Sequence, residues 1–336
     1  MRPERQLASR PRSPFYDHAR LGLIALVVFG HAIEALLDHP AARTLYFAVY
    51  AFHIPAFAFL SGALAPERID LAGLRRIAFG LLAPYAIFQV LYLKAVGEPL
   101  GFVVPYWLLW YLVSLACWRL MLPLFAQLRG ALLCAVVLAC MAGALNDVGY
   151  AFALSRTCVF FPLFLFGHTL RKSGWLERTP RPGTRLAALA GFALLLVLCG
   201  VGAGHFDHRW LYGTNAYAEI GVGPLPGMAI RLTVLAVSAV LTLAFLTLVP
   251  RGPSPWAPLG ARSLNAYLLH GFLIRFGGAS VVALWSLCGN WTLALLAVGA
   301  AAVTGVLSSG WVAWCVRPLT QPTWIERLLW RSPPPG

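Results

Sequence analysis

Apolar residues gather along this chain into ten long blocks, near positions 20–37, 45–64, 74–96, 102–125, 130–146, 157–170, 185–203, 228–249, 263–285 and 291–315. About 20 mostly apolar residues cross the ~30 Å of bilayer hydrocarbon as a helix, so each block predicts a transmembrane helix; the block at 157–170 is short. Strands are not expected, because an open sheet leaves unsatisfied backbone groups in lipid. Pro and Gly punctuation, as in Pro180-Arg181-Pro182-Gly183 and Arg251-Gly252-Pro253-Ser254-Pro255, predicts short connections. The one long connection, roughly Gly204 to Gly227, holds His205, Asp207, His208, Arg209, Tyr212, Asn215, Tyr217 and Glu219. Structureless loops of more than ~12–15 residues are often functional. The expected fold is an all-α polytopic membrane protein of about ten transmembrane helices, with no repeat and no low-complexity domain.

Composition agrees. Of the 336 residues 60% are hydrophobic and 11% charged, against ~25% charged in a soluble domain, and a mean hydropathy of +0.74 over the whole length exceeds what one anchor helix supplies. The net charge of +14 would point to nucleic acid in a soluble domain. Here the basic residues fall between apolar blocks, where they set topology and meet anionic lipid, so no nucleic-acid partner is expected. With the N-terminus inside, Arg2, Arg5, Arg10, Arg12, Arg68, Arg75, Arg76, Arg129, Arg171, Lys172, Arg178, Arg181, Arg185, Arg251, Arg262, Arg317, Arg327 and Arg331 are cytoplasmic. Only Arg43, Lys94, Arg156, Arg209 and Arg231 are outside, a strong positive-inside bias. Removing the sixth block would spoil it. Both termini are therefore expected in the cytoplasm, with a basic tail at 1–14, a transmembrane domain at 15–316 and a short tail at 317–336. The basic start resembles a signal peptide, but the first apolar block contains His31 and Glu34 and has no small-residue cleavage site, so it reads as a retained helix in an inner or plasma membrane. The seven cysteines show no CxxC spacing and read as packing residues.

Ionisable residues inside lipid cost several kcal/mol unless paired or hydrated, which makes each a functional candidate. Arg20 stands at the cytoplasmic boundary of the first helix, and His31 lies ~16 Å further along, near the expected midplane. Glu34 follows at i+3 on the same face, where a carboxylate fixes the imidazole tautomer as a general base requires; the alternative is an inert pair that fixes helix packing. His53, before Pro55, either satisfies a carbonyl freed by that proline or faces a cavity. His270 is eight residues past Arg262, deep enough to share a cavity with His31 or to be a satisfied core histidine. Arg75 and Arg76 are either positive-inside anchors or, with Arg20, a phosphate clamp. Arg156 faces an acceptor or caps the sixth helix, and Arg119 and Arg275 bind partners in the bundle or snorkel. Tyr106, Trp107, Trp110 and Tyr111 suit an interfacial belt better than a sugar-stacking platform. There is no G-x-S-x-G, Walker A or H-E-x-x-H motif, and His205 with His208 is a weak metal signal, so no metal or bound cofactor is expected.

Taken in order, these residues resemble the acyltransferase-3 family of membrane acyltransferases, and within it the fucose 4-O-acetylase-related branch. The resemblance is carried by Arg20 and His31 with ten residues between them, Phe52-His53-Ile54-Pro55 with Phe59-Leu60-Ser61-Gly62, and Trp107-Leu108 with Trp118-Arg119. Ser155-Arg156-Thr157 with Phe161-Pro162, Leu211-Tyr212-Gly213, and Ser263-Leu264 with Tyr267-Leu268-Leu269-His270-Gly271 complete it, over roughly residues 15–285. It implies transfer of an acyl group, usually acetyl, from cytoplasmic acyl-CoA to a hydroxyl of a carbohydrate or glycolipid at or beyond the outer face, with Arg20 and His31 as the essential pair. Adjacent Arg75-Arg76 departs from the R-x-x-R spacing common in the family, and His18 stands where this branch is expected to have Asn. The expected mechanism docks the CoA phosphates on Arg20, Arg75 and Arg76 and brings the thioester to His31, held by Glu34. His53, Arg156, His270 and Tyr212 shape the acceptor side. A proton-coupled transporter or flippase, in which the buried His and Glu relay protons, is the alternative reading, although no paired broken helices mark matched halves.

Overall fold

The computed structural model describes residues 13–146, 149–202 and 204–329, so the basic tail residues Arg2, Arg5, Arg10 and Arg12, and Arg331, lie outside the described residues. The first helix, α1, starts on Pro14, whose missing N–H costs nothing at a helix start, and runs Pro14–Ile33 into a 3-10 turn at Glu34–Leu36. The second block is two helices, α2 (Pro40–Tyr50) and α3 (His53–Ala63), interrupted at Phe52 (φ −143°). Pro55 cannot donate to the Ala51 carbonyl, and Ser238 Oγ donates to it instead at 2.6 Å. In the third block α4 (Leu71–Ile77) is N-capped by Asp70, whose carboxylate accepts from Gly73 N at 2.7 Å. A π-helical segment, Ala78–Leu82, joins it to α5 (Ala83–Val96) beside Pro84. Irregular turns of this kind commonly accompany prolines in helices.

Next come a 3-10 turn at Trp107–Leu109 and α6 (Trp110–Phe125), then α7 (Ala131–Ala144), α8 (Leu154–Lys172) and α9 (Pro182–Gly202). The long connection carries a single turn, α10 (Arg209–Tyr212), before α11 (Pro224–Leu248). The chain ends with α12 (Ala257–Gly260), α13 (Ser263–Cys288), α14 (Trp291–Leu307), α15 (Gly310–Thr320) and α16 (Thr323–Leu329). The described residues form no strand.

The all-helical expectation holds, but the span count changes. Among the described residues eight helical segments are long and apolar enough to cross a membrane, and a ninth arises only if α14 and the segment after it, bent by 68°, count together. The sixth block is a full helix: its boundary charges Arg156, Arg171 and Lys172 look like loop residues by hydropathy, yet lie inside the helix. The short one is the fifth, α7, at 14 residues, which stops where Leu145 turns extended (ψ 117°). The seven cysteines are all free.

Helices α3 and α8 form the buried centre. A Cβ on Gly62 would stand 1.8 Å from the Phe164 carbonyl oxygen, and one on Gly167 would stand 2.0 Å from that of Phe59, so the two backbones meet where no side chain fits. Gly260 does the same against Asp17, with 1.7 Å from its would-be Cβ to the carbonyl oxygen, and seats α12 on the start of α1. His18 adds a second tie there: Nδ1 donates to the Pro250 carbonyl at 3.1 Å, and the Ser254 hydroxyl lies 2.6 Å from Nε2. These contacts fix α1, which carries Arg20 near one end and His31 near the other.

Candidate functional site

His31 sits in the last turn of α1, closer to the end of the span Pro14–Leu36 than to the expected midplane, because the helix starts six residues earlier than its apolar block. Its Nδ1 lies 3.3 Å from Glu34 Oε2 and 3.2 Å from the Tyr50 hydroxyl. Nδ1–H donating to the carboxylate leaves Nε2 as the basic nitrogen, the tautomer a general base needs. Trp107 packs edge-on to the imidazole at 4.7 Å, and His270 stacks on it at 5.6 Å. The His270 ring is itself held in one orientation, Nδ1 donating to the Ala266 carbonyl at 2.9 Å, with Nε2 buried and unpartnered. His53 likewise gives its Nδ1 proton to the Val49 carbonyl at 2.8 Å. The carbonyl freed by Pro55, that of Ala51, is thus taken by Ser238 and not, as the first alternative expects, by His53; His53 bonds the Val49 carbonyl and lines the His31 cavity.

That cavity, of about 240 Å³, is walled by His31, Glu34, Tyr50, His53, Arg156 and Tyr212 on its polar side and by Trp107, Trp110, Tyr111 and Tyr267 on its aromatic side. The aromatic cluster faces inward here, correcting the expectation of an interfacial belt. Arg156 Nε donates to the Tyr212 carbonyl at 3.2 Å and the guanidinium lies 4.8 Å over the Trp110 ring, so Arg156 neither caps α8 nor pairs with an acid in the described residues. The long connection closes this end. Ser155 Oγ donates to the Gly213 carbonyl at 2.8 Å, and the hydroxyls of Tyr46 and Tyr212 are 2.5 Å apart. Burial pushes the Tyr212 hydroxyl up to about 12, so it stays a neutral hydrogen-bonding group.

A second, elongated cavity of about 460 Å³ starts at the other end of α1. Arg20, Arg76 and Arg119 stand at its mouth, Ser61 bonds the Tyr111 hydroxyl at 2.9 Å along its wall, and its inner end is Val27, Ile54, Tyr111 and Tyr267. These same four residues line the His31 cavity. The two spaces thus lie end to end along α1, with these four side chains forming the wall between them and Arg20 and His31 ~16 Å apart along the helix.

The structure brings Arg20 and Arg76 to the first space and His31, Glu34, His53, Arg156 and Tyr212 to the second. His270 reaches the second through its stack on His31. Arg75 stands apart, its Nε donating to Glu326 of α16 at 2.9 Å. Arg119, whose Nε is buried without a partner, occupies the place beside Arg20 and Arg76 instead. Sequence reasoning did not single out Tyr50 or Tyr267 for the site, and it gave Tyr111 to an interfacial belt ahead of a sugar-stacking platform. For Tyr50 a signal existed, since it precedes His53 by three residues and shares its face. Trp107 carries a further mark, a φ of +36° that a bulky residue adopts only under strain. Among the described residues no group of three His, Cys, Asp or Glu side chains is placed to hold a metal ion.

A family model described as an acyltransferase domain matches residues 13–311. No curated protein and no solved structure matches the chain.

Proposed function

The chain belongs to the acyltransferase-3 family of membrane acyltransferases, and on that premise we propose that it is an O-acetyltransferase moving acetyl from cytoplasmic acetyl-CoA to a carbohydrate or glycolipid hydroxyl on the outer side of an inner or plasma membrane. The observation that carries this reading is the end-to-end pair of cavities, basic at the Arg20 mouth and basic-catalytic at His31. A guanidinium cluster suits the CoA phosphates. A largely apolar space running from Arg20 to Val27 suits an extended pantetheine arm, and an imidazole held by a carboxylate suits removal of a hydroxyl proton. The ordered motifs resemble the fucose 4-O-acetylase-related branch, which supports a sugar acceptor, and the aromatic side of the cavity suits the apolar face of a sugar ring.

In this mechanism Arg20, Arg76 and Arg119 hold the donor phosphates and the thioester carbonyl reaches the wall beside His31. Nε2 of His31 takes the acceptor hydroxyl proton as its oxygen bonds to the carbonyl carbon. Glu34 stabilises the imidazolium through Nδ1–H. When the tetrahedral intermediate collapses, the C–S bond breaks and the proton passes from Nε2 to the departing CoA sulfur. Arg156, Tyr212 and His53 border the space left for the acceptor. Transfer of radiolabelled acetyl from acetyl-CoA in membranes carrying the wild-type chain or His31→Ala tests this. Label on an extractable carbohydrate with wild type alone is the expected result. Uptake of a solute into vesicles without acyl-CoA, with no labelling, would replace the reading by transport.

A further inference from the structure

A third cavity, about 720 Å³, lies at the Arg20 end between the start of α1, the end of α8 and the connection before α12. Two arginines are built into it. Arg171 donates to the Ala63 carbonyl at 2.9 Å and lies 5.4 Å over the Tyr16 ring. Arg251 donates to the Leu176 carbonyl at 2.7 Å, lies 4.4 Å over the Phe15 ring, and keeps its Nε buried without a partner. Among the described residues neither makes an ion pair with a carboxylate. Of the two acids lining the space, Asp17 is given to Arg20 at 3.4 Å and Glu177 is exposed. Backbone carbonyls and ring faces thus hold two guanidinium groups in place without neutralising them, the arrangement that suits a phosphate.

This cavity shares Arg20 and Leu64 with the elongated one. Along the path there are therefore two basic stations, Arg171–Arg251 outermost and Arg20–Arg76–Arg119 next, followed by a space that ends at the wall before the His31 cavity. CoA carries its groups in the same order: a ribose 3′-phosphate, a diphosphate, and then the pantetheine arm with its terminal sulfur. We propose that the outer cavity seats the nucleotide end of the donor and that Arg171 and Arg251 grip its 3′-phosphate. This rests on the acyl-CoA reading above and adds to it a subsite on residues that positive-inside counting treats only as topology anchors.

The test is equilibrium binding of CoA and of 3′-dephospho-CoA to the full chain in zwitterionic nanodiscs, for wild type, Arg171→Gln and Arg251→Gln. Wild type is expected to bind CoA about tenfold or more tightly than 3′-dephospho-CoA, the scale of charge-assisted bonds to one phosphate. Each variant should lose most of that preference while keeping the wild-type affinity for 3′-dephospho-CoA, which also reports that it is folded. Equal affinity of wild type for the two ligands overturns the subsite, as does a preference that survives in both variants. The preference should persist when phosphatidylglycerol is added to the bilayer; its disappearance assigns these arginines to lipid headgroup phosphate instead. A wild type that binds neither ligand defeats the donor reading itself, a different result from loss of the 3′-phosphate preference alone.

Discussion

His31 shows what a single residue reveals through its neighbours. A lone imidazole in an apolar run is ambiguous, and the carboxylate one turn on gives it a direction: Nδ1 is occupied by Glu34 and Tyr50, and Nε2 is left for chemistry. His31→Ala is expected to lower acetyl transfer by ~10²–10⁴-fold, the usual worth of a general base, with unchanged detergent-extracted yield and CoA binding. Glu34→Gln keeps the shape and removes the charge that favours imidazolium. It should depress kcat by about tenfold or more with little change in KM for the donor, and the assay to run is initial rate against acetyl-CoA concentration. A fall confined to KM would make Glu34 a binding group. The ionisable members of the site were legible in the sequence because charge inside an apolar block is conspicuous, as with Arg20, His31 and Glu34. Tyr50 and Tyr267 were not, because an aromatic residue in such a block is what any membrane helix contains. Arg75 was placed at the cavity for lack of a long-range fact: it bonds Glu326, 251 residues away in sequence, while Arg119 lines the cavity instead.

At the scale of elements the blocks located the helices well and their ends poorly. Hydropathy sees side chains, whereas helix ends follow backbone bonding, so α8 extends through Arg156 and Lys172 and α7 stops at Ala144. The break between α2 and α3 was signalled by Pro55, but its stabilisation by Ser238 from α11 is a long-range fact. Close packing of α3 on α8 is similar: it is decided by the carbonyl of Phe164 facing Gly62, a residue far away in sequence. Gly62→Ala would press a methyl into that carbonyl, and overpacking of this kind costs about 1–3 kcal/mol or more. Thermal unfolding in detergent should show a lowered midpoint, while Gly80→Ala, which meets nothing within 4 Å, serves as the control and should not. The long connection over the His31 cavity carries its own pH test. The Arg209 guanidinium, bonded to Asp207, holds that carboxyl below its ordinary value. A depressed carboxylate contributes stability above its unfolded pKa of about 3.9 and loses it as pH falls through the folded value. Proteolysis of this connection is therefore expected to be flat from neutral pH down to about 4 and to rise below that; Asp207→Asn should remove the rise by making the connection equally labile throughout.

For the molecule as a whole, the proposed function raises the question of which side of the wall the donor arm reaches His31 from. Two routes are physically distinct. Either the donor arm passes along α1 through the wall between the cavities, or His31 acts on a donor that arrives from its own side. The wall is made of Val27, Ile54, Tyr111 and Tyr267, contributed by α1, α3, α6 and α13, so four helices meet there and no single block of sequence announces it. Two of the four are small enough to enlarge without adding a polar group. Val27→Phe or Ile54→Phe fills the wall yet leaves the arginine mouth and the His31–Glu34–Tyr50 unit intact. If the arm passes through the wall, each variant should bind CoA within about threefold of wild type, a difference of ~0.7 kcal/mol, while acetyl transfer falls a hundredfold or more, about 2.7 kcal/mol in barrier. Val27→Ala, which opens the wall, should retain transfer and so shows that position 27 tolerates change. Binding and transfer measured on the same purified samples separate the routes. Transfer that survives both Phe variants places the donor on the His31 side, and the basic mouth would then need another occupant.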